Sequence, residues 1–149
     1  MANTAIEHLN LLVKRSYDAQ QGFQKAAEDV ENPLLKDFLL NHSLQRTDFL
    51  EQLKAEVRNL GGTPEDSTSI LGDLHRAWID FRSALSTRDE KAVLDECERG
   101  ETTAYENYSE VLADTALPES TRTLLQRQQT QIGDAIQKIK ALKVTFSNS

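Results

Sequence analysis

The stretch "ECERGETTAYENY", residues 96–108, carries the pattern that decides how this chain folds. Cys97, Ala104 and Tyr108 recur at the spacing of one face of an α-helix. Glu101 lies on the same face, where a core side chain is expected. An ionised carboxylate in a core must be paired, protonated or bound to a cation, because burying it alone costs several kcal/mol. The partner of Glu101 therefore bears on both fold and function.

The same helical spacing of apolar residues continues on both sides of this stretch. Prolines and glycines fall where helices begin or end: Asn32-Pro33 and Pro118 open segments, and Gly61-Gly62 closes one. No segment alternates with the period of a strand, so we expect no sheet. We predict long helices at about 4–30, 33–60, 88–113 and 118–145 and a short helix at about 68–86.

The long link between the second and third long helices determines the predicted topology. Residues 61–66 and the short helix are long enough to cross the bundle, which makes those two long helices parallel. Trp78 is expected to anchor the crossover helix on the bundle, with His75 at its edge. The 149 residues are predicted to form a single all-α domain: a ferritin-like four-helix bundle with a short crossover helix.

Composition excludes several classes of protein. A formal charge of −7 argues against a nucleic-acid surface, and no run approaches the ~20 apolar residues of a membrane span. The first ten residues lack a basic region followed by an apolar run, and the single Cys97 forms no internal disulfide. We expect a cytoplasmic protein with neither nucleic acid nor membrane as a partner.

Every long helix interrupts its apolar stripe near its own midpoint. The interruptions include Gln20, Arg46, Glu101 and Gln128, with His42 one turn from Arg46. Midpoints of paired antiparallel helices lie at one level of a bundle, so these side chains are predicted to form a polar layer in the core. Arg46 is the predicted partner of Glu101, with Gln20 and Gln128 completing the hydrogen bonds.

A metal centre is the alternative use of such a layer. A dimetal bundle needs carboxylates from all four helices and a Glu-x-x-His pair on two of them. None of His8, His42 and His75 stands three residues after a glutamate, and an arginine in the layer repels a cation. We therefore predict a polar layer without metal, no cofactor and no catalytic residue.

Four segments resemble a known family. They are "AAEDVENPLLK" (26–36), "LKAEVRNLGG" (53–62), "LHRAWID" (74–80) and "ECERGE" (96–101). Over residues 5–145 the chain resembles a ferritin-like family of small bacterial four-helix-bundle proteins labelled as a domain of unknown function. The resemblance implies a fold and no established activity. It also implies that relatives often carry Glu at the position of Gln20, and Glu and His at those of Gln126 and Ile136. These departures remove side chains that a cation would use.

Three functions remain open on the sequence. The first is a non-enzymatic interaction or stress-associated module that forms a homodimer or higher homo-oligomer through an apolar strip near Trp78 and Phe81. The second is a ferritin-like metal-binding oxidase or storage protein of the di-iron type, using Glu98, Glu101 and His42. The third is a small-molecule carrier that uses the interior of the bundle. We expect the first.

Overall fold

The computed structural model describes residues 2–65 and 90–147, with side chains from residue 4. These residues form four long helices and contain no strand, which confirms the all-α prediction for this part of the chain. The helices are α1 (Ala2–Asp29), α2 (Pro33–Asn59), α3 (Glu90–Leu112) and α4 (Glu119–Ser147). The predicted crossover helix at 68–86, with His75, Trp78 and Phe81, lies outside the described residues. None of the described helices is long and apolar enough to cross a membrane.

The residues at its two ends explain where α2 begins and where it ends. Asn32 caps the first turn by accepting two backbone N–H hydrogen bonds, at 3.0 and 3.2 Å, and Pro33 occupies the first helical position. At the other end Gly61 adopts a φ of 86°, a left-handed conformation that favours glycine. A Cβ atom on Gly62 would lie 2.7 Å from Ile6 Cγ2 in α1. The two glycines therefore end α2 and let the chain pass close to α1.

Helix α1 runs antiparallel to both α2 and α3. Residues 30–32 join α1 directly to α2, and the two helices pack closely. Between α1 and α3, Arg15 Nε donates to Asn107 Oδ1 at 3.1 Å, while His8 Nδ1 lies 3.5 Å from Asp114 Oδ2. Residue numbers therefore rise in α1 as they fall in α3. Since α2 and α3 both oppose α1, they run parallel to each other.

Helix α4 completes a ring of four helices. Thr121 Oγ1 donates to Glu56 Oε2 at 2.8 Å, and Gln128 Nε2 donates to Gln52 Oε1 at 3.0 Å, so α4 runs antiparallel to α2. The closest packing lies within the α1–α2 and α3–α4 hairpins, and contacts of α1 with α3 and of α2 with α4 join the hairpins. Helices α2 and α3 consequently occupy opposite corners of the bundle.

Two apolar clusters fill the described core, one towards each end. The first includes Leu9, Leu12, Val13, Phe49, Leu53, Val57, Tyr108, Val111, Leu125 and Ile132. The second includes Phe23, Ala26, Ala27, Leu35, Phe38, Leu39, Val93, Leu94, Cys97 and Ile139. Most of the buried polar side chains lie near the helix midpoints, between the two clusters: Ser16, His42, Ser43, Arg46, Glu101 and Gln128.

Candidate functional site: the buried polar layer

An ion pair between Arg46 of α2 and Glu101 of α3 lies at the centre of the polar layer. Both residues are only 2% exposed. Arg46 Nη1 donates to Glu101 Oε1 at 2.6 Å, and Nη2 donates to Oε2, so both carboxylate oxygens are occupied. The planar guanidinium fork suits this bidentate contact in a way that a lysine ammonium does not. The contact predicted from the sequence is present, and it joins opposite corners of the bundle.

Aromatic rings complete the surroundings of the Arg46 guanidinium. Its Cζ lies 5.2 Å from the centroid of the Phe49 ring and 5.6 Å from that of Phe23. Rings at this distance attract a cation through their π faces, and the attraction grows when water is excluded. Within the described residues, Arg46 Nε is buried without a hydrogen-bond partner. The charge of Arg46 is thus balanced by Glu101 and two rings instead of by solvent.

His42 lies one turn from Arg46 and is 7% exposed. Its Nδ1 is 2.8 Å from the Phe38 carbonyl oxygen, and its ring centroid is 4.1 Å from that of Phe38. Burial lowers the pKa of His42, the bond to Phe38 opposes that change, and the nearby positive charge of Arg46 lowers the pKa further. We infer a neutral imidazole at neutral pH, with its proton on Nδ1 donated to the Phe38 carbonyl.

Gln128 is buried, as a member of the layer should be, but its hydrogen bonds do not go to the ion pair. Its Oε1 accepts from the Tyr108 hydroxyl at 2.7 Å, and its Nε2 donates to Gln52 Oε1 at 3.0 Å and towards the Phe49 carbonyl oxygen at 3.5 Å. A buried phenol hydroxyl needs an acceptor, and Gln128 supplies it. The prediction that Gln128 completes the bonds of the ion pair was wrong.

Gln20 also departs from its predicted role. It is partly exposed, and its Oε1 accepts from Gln21 Nε2 at 2.8 Å. The backbone carbonyl of Gln20 accepts from the Ser43 hydroxyl at 3.0 Å, across the α1–α2 contact. Gln20 therefore lies beside the contact between α1 and α2. Its side-chain amide is hydrogen-bonded to Gln21 on the same helix and not to the ion pair.

Tyr108 is the member of the layer that sequence reasoning missed. It is 1% exposed, and burial raises the pKa of its hydroxyl. Ser16 of α1 hydrogen-bonds to this hydroxyl, which donates to Gln128 of α4. Gln128 in turn reaches Gln52 of α2. The sequence carries a signal for this contact: Ser16 and Gln128 interrupt the apolar stripes of α1 and α4, and Tyr108 lies on the apolar stripe of α3. A second polar connection thus joins all four helices.

A family model described as "Domain of unknown function (DUF2383)" matches residues 4–114. The chain belongs to this family. The match to the DUF2383 model spans α1, α2 and α3 and therefore includes both members of the ion pair, Arg46 and Glu101. Helix α4, with Gln128, follows the matched residues. Among curated proteins, none matches the sequence significantly.

Two of the three residues of the metal-binding alternative form ion pairs in this DUF2383 protein. Glu101 accepts from Arg46 with both oxygens. Glu98 Oε2 lies 3.3 Å from Lys143 Nζ. The hydrogen bond to Asp95, and then that to Glu98, raise the pKa of Lys143. The third, His42, has its Nδ1 bonded to the Phe38 carbonyl oxygen, which leaves Nε2 as the nitrogen that a ligand would use. Residues 4–65 and 90–147 contain no group of three or more His, Cys, Asp or Glu placed to hold a metal ion.

Cys97 borders the layer on α3 and is 3% exposed. Burial raises the pKa of its thiol, and the negative charges of Glu101 and Glu96 raise it further. A protonated, enclosed thiol is a poor nucleophile. Cys97 therefore serves as a packed core side chain next to Glu101.

Proposed function

We propose that this DUF2383 protein is a non-enzymatic interaction or stress-associated module with a ferritin-like order of helices and a metal-free polar layer. The observation that supports this most is the bidentate contact of Glu101 with Arg46, which pairs the buried carboxylate with a buried guanidinium. The parallel directions of α2 and α3 support the ferritin-like order. The single buried Cys97 and the acidic composition support a cytoplasmic location.

Metal binding or acid–base catalysis at this layer would compete with the contact between Glu101 and Arg46. Each carboxylate oxygen keeps a lone pair beyond the one that Arg46 uses, but a metal cation bound there would lie beside the guanidinium and be repelled by it. Drawing Glu101 away from Arg46 would leave the guanidinium, which is 2% exposed, short of its counter-charge. The cost of an uncompensated buried charge is about 3 to 5 kcal/mol. The layer is therefore better suited to holding the helices together than to exchanging ligands.

Elemental analysis of protein purified without an affinity tag tests this proposal. We expect only traces of iron, manganese and zinc. We also expect chelator treatment to leave the helical content and the melting temperature unchanged, because two apolar clusters hold the described helices together without a metal ion. A stoichiometric metal content would overturn the proposal and favour the di-iron oxidase or storage alternative.

We also propose that the protein forms a homodimer or a higher homo-oligomer. Leu40 and Leu44 lie one turn apart on the outer side of α2 and are 41% and 67% exposed. Neighbouring apolar side chains on a helix surface are common at two-fold contacts between identical chains. A second copy of the chain is therefore the partner that we assign to this surface.

Replacing Leu44 with glutamate should shift the protein towards monomer. The change places a negative charge on each side of the proposed contact and removes an apolar side chain from it. Sedimentation at micromolar concentration should show a dimer or larger for the original protein and a smaller species for Leu44→Glu. Val144→Glu is a matched control, because Val144 is 61% exposed on α4. An original protein that sediments as a monomer contradicts the proposal.

A further inference from the structure

The chain that follows α2 is attached to α1 from its first residues. Gly62 packs against the Ile6 side chain of α1. Asn10 of α1 then binds the next turn twice: its Nδ2 donates to the Thr63 carbonyl oxygen at 3.1 Å, and its Oδ1 accepts from the Glu65 backbone N–H at 2.9 Å. Since α2 and α3 occupy opposite corners of the bundle, the link between them must pass over α1 or over α4. These contacts start it over α1.

The contact between α1 and α3 contains a gap near the middle of the bundle. Two polar contacts between these segments lie seven residues apart on each side: His8 with Asp114, and Arg15 with Asn107. The next step of seven places Gly22 level with Gly100. A Cβ atom added to either glycine would meet nothing within 4 Å in the described part of the chain. Ala19 and Ala104, both partly buried, lie one turn away. Small residues therefore border an open position between the two helices.

The length of the link fits a single pass along α1. Residues 66–89 lie outside the described residues. The pairing of α1 with α3 places Glu90, where α3 begins, level with Asn32, just beyond the end of α1. From the level of Asn10 to that point is about 33 Å, at the rise of an α-helix. Residues 66–89 would span about 36 Å as a helix. The middle of the link, at Trp78, therefore falls at the level of the two glycines.

We propose that the α1–α3 contact is the docking surface of residues 66–89, with the Trp78 ring seated on Gly22 and Gly100. Apolar residues of this segment recur at helical spacing, which gives it one face to bury: Leu71, Leu74, Trp78, Phe81 and Leu85. Two glycines let a large ring approach the helix backbones closely, because no Cβ atom stands in its way. This intramolecular interaction goes beyond the proposed function and does not depend on it.

Trp78 is the single tryptophan of the chain, so its fluorescence reports on the position of the segment. A nitroxide, which quenches tryptophan at short range, is attached to the full chain at Lys25→Cys in α1 or at Lys140→Cys in α4, each combined with Cys97→Ala. Lys25 and Lys140 are both exposed and lie at one level of the bundle, on the two helices that flank α3. We expect the label at Lys25→Cys to remove most of the Trp78 emission, relative to a diamagnetic analogue, and the label at Lys140→Cys to remove little. Weak quenching from the first site, or stronger quenching from the second, would overturn the proposal.

Substitution of the glycines tests the contact itself. Alanine in place of an open helical glycine raises stability, because alanine forms helices better. A Cβ atom beneath a seated Trp78 ring would instead displace the ring. We therefore expect Gly22→Ala and Gly100→Ala to lower the melting temperature of the original chain and to raise that of a Trp78→Ala chain. Equal rises in both chains would contradict the contact. The labelling experiment decides the outcome if the Trp78→Ala chain fails to fold.

Discussion

Replacing Arg46 with leucine should lower the free energy of unfolding by about 3 to 5 kcal/mol. The change removes both donors to Glu101, a carboxylate that is 2% exposed. It also removes the cation that lies over the Phe49 ring. Leucine is apolar and forms helices well, so the loss reports on the stranded charge and not on helix propensity. Urea denaturation followed by circular dichroism measures the change.

Arg99→Leu is the matched control for this experiment. Arg99 is also on a helix and also donates to a glutamate, Glu96, but its side chain is 61% exposed. Exposed ion pairs contribute about 0 to 1 kcal/mol because water already solvates both charges. We therefore expect a small effect at Arg99 and a large one at Arg46. Equal losses would mean that burial does not determine the strength of the Arg46 contact.

Replacing Leu94 with alanine should lower the free energy of unfolding by about 2 to 5 kcal/mol. Leu94 is 0% exposed in the cluster that contains Cys97. The change removes apolar contacts and leaves a cavity that the surrounding helices fill only in part. Urea denaturation is again the measurement, with its slope expected to remain unchanged.

Leu44→Ala makes the same chemical change at a site that is 67% exposed. The expected effect there is within about 0.5 kcal/mol, because little apolar area is lost from the folded chain. The comparison should be made at a protein concentration where self-association is absent. Comparable losses at Leu94 and Leu44 would contradict the assignment of Leu94 to the core.

The helices and the central ion pair could be predicted because both depend on local pattern. Apolar spacing fixed which side of each helix is buried, and Asn32 and Gly61 marked the ends of α2. Arg46 and Glu101 each interrupt a stripe at the middle of a helix, and opposite charges in one layer of a core must meet. Few other pairings of buried side chains satisfy both the helical spacing and the need of a buried charge for a partner.

The hydrogen bonds of the amide side chains could not be predicted in the same way. An amide has two ends and several possible partners, and its choice depends on distances between helices that no local pattern specifies. Gln128 accepts a hydrogen bond from the Tyr108 hydroxyl, and Gln20 accepts one from Gln21 on its own helix. The placement of His75 and Trp78 stays a prediction, since both lie outside the described residues.

A buried ion pair of this kind is better explained by specificity than by stability. Its desolvation cost offsets much of its attraction, so well-packed apolar residues in its place are often equally stable. A slide of one helical turn, about 5.4 Å, would separate Arg46 from Glu101 and bury both charges alone. We therefore interpret the pair as the contact that sets the register between the two hairpins.

A double-mutant cycle on Arg46 and Glu101 tests this account most directly. Arg46→Leu, Glu101→Leu and the double variant are each denatured with urea, and the coupling free energy is obtained from the four free energies of unfolding. We expect each single change to cost about 3 to 5 kcal/mol and the double change to recover much of that loss. If both single changes are nearly neutral and their effects simply add, Glu101 does not depend on Arg46 and the account is wrong.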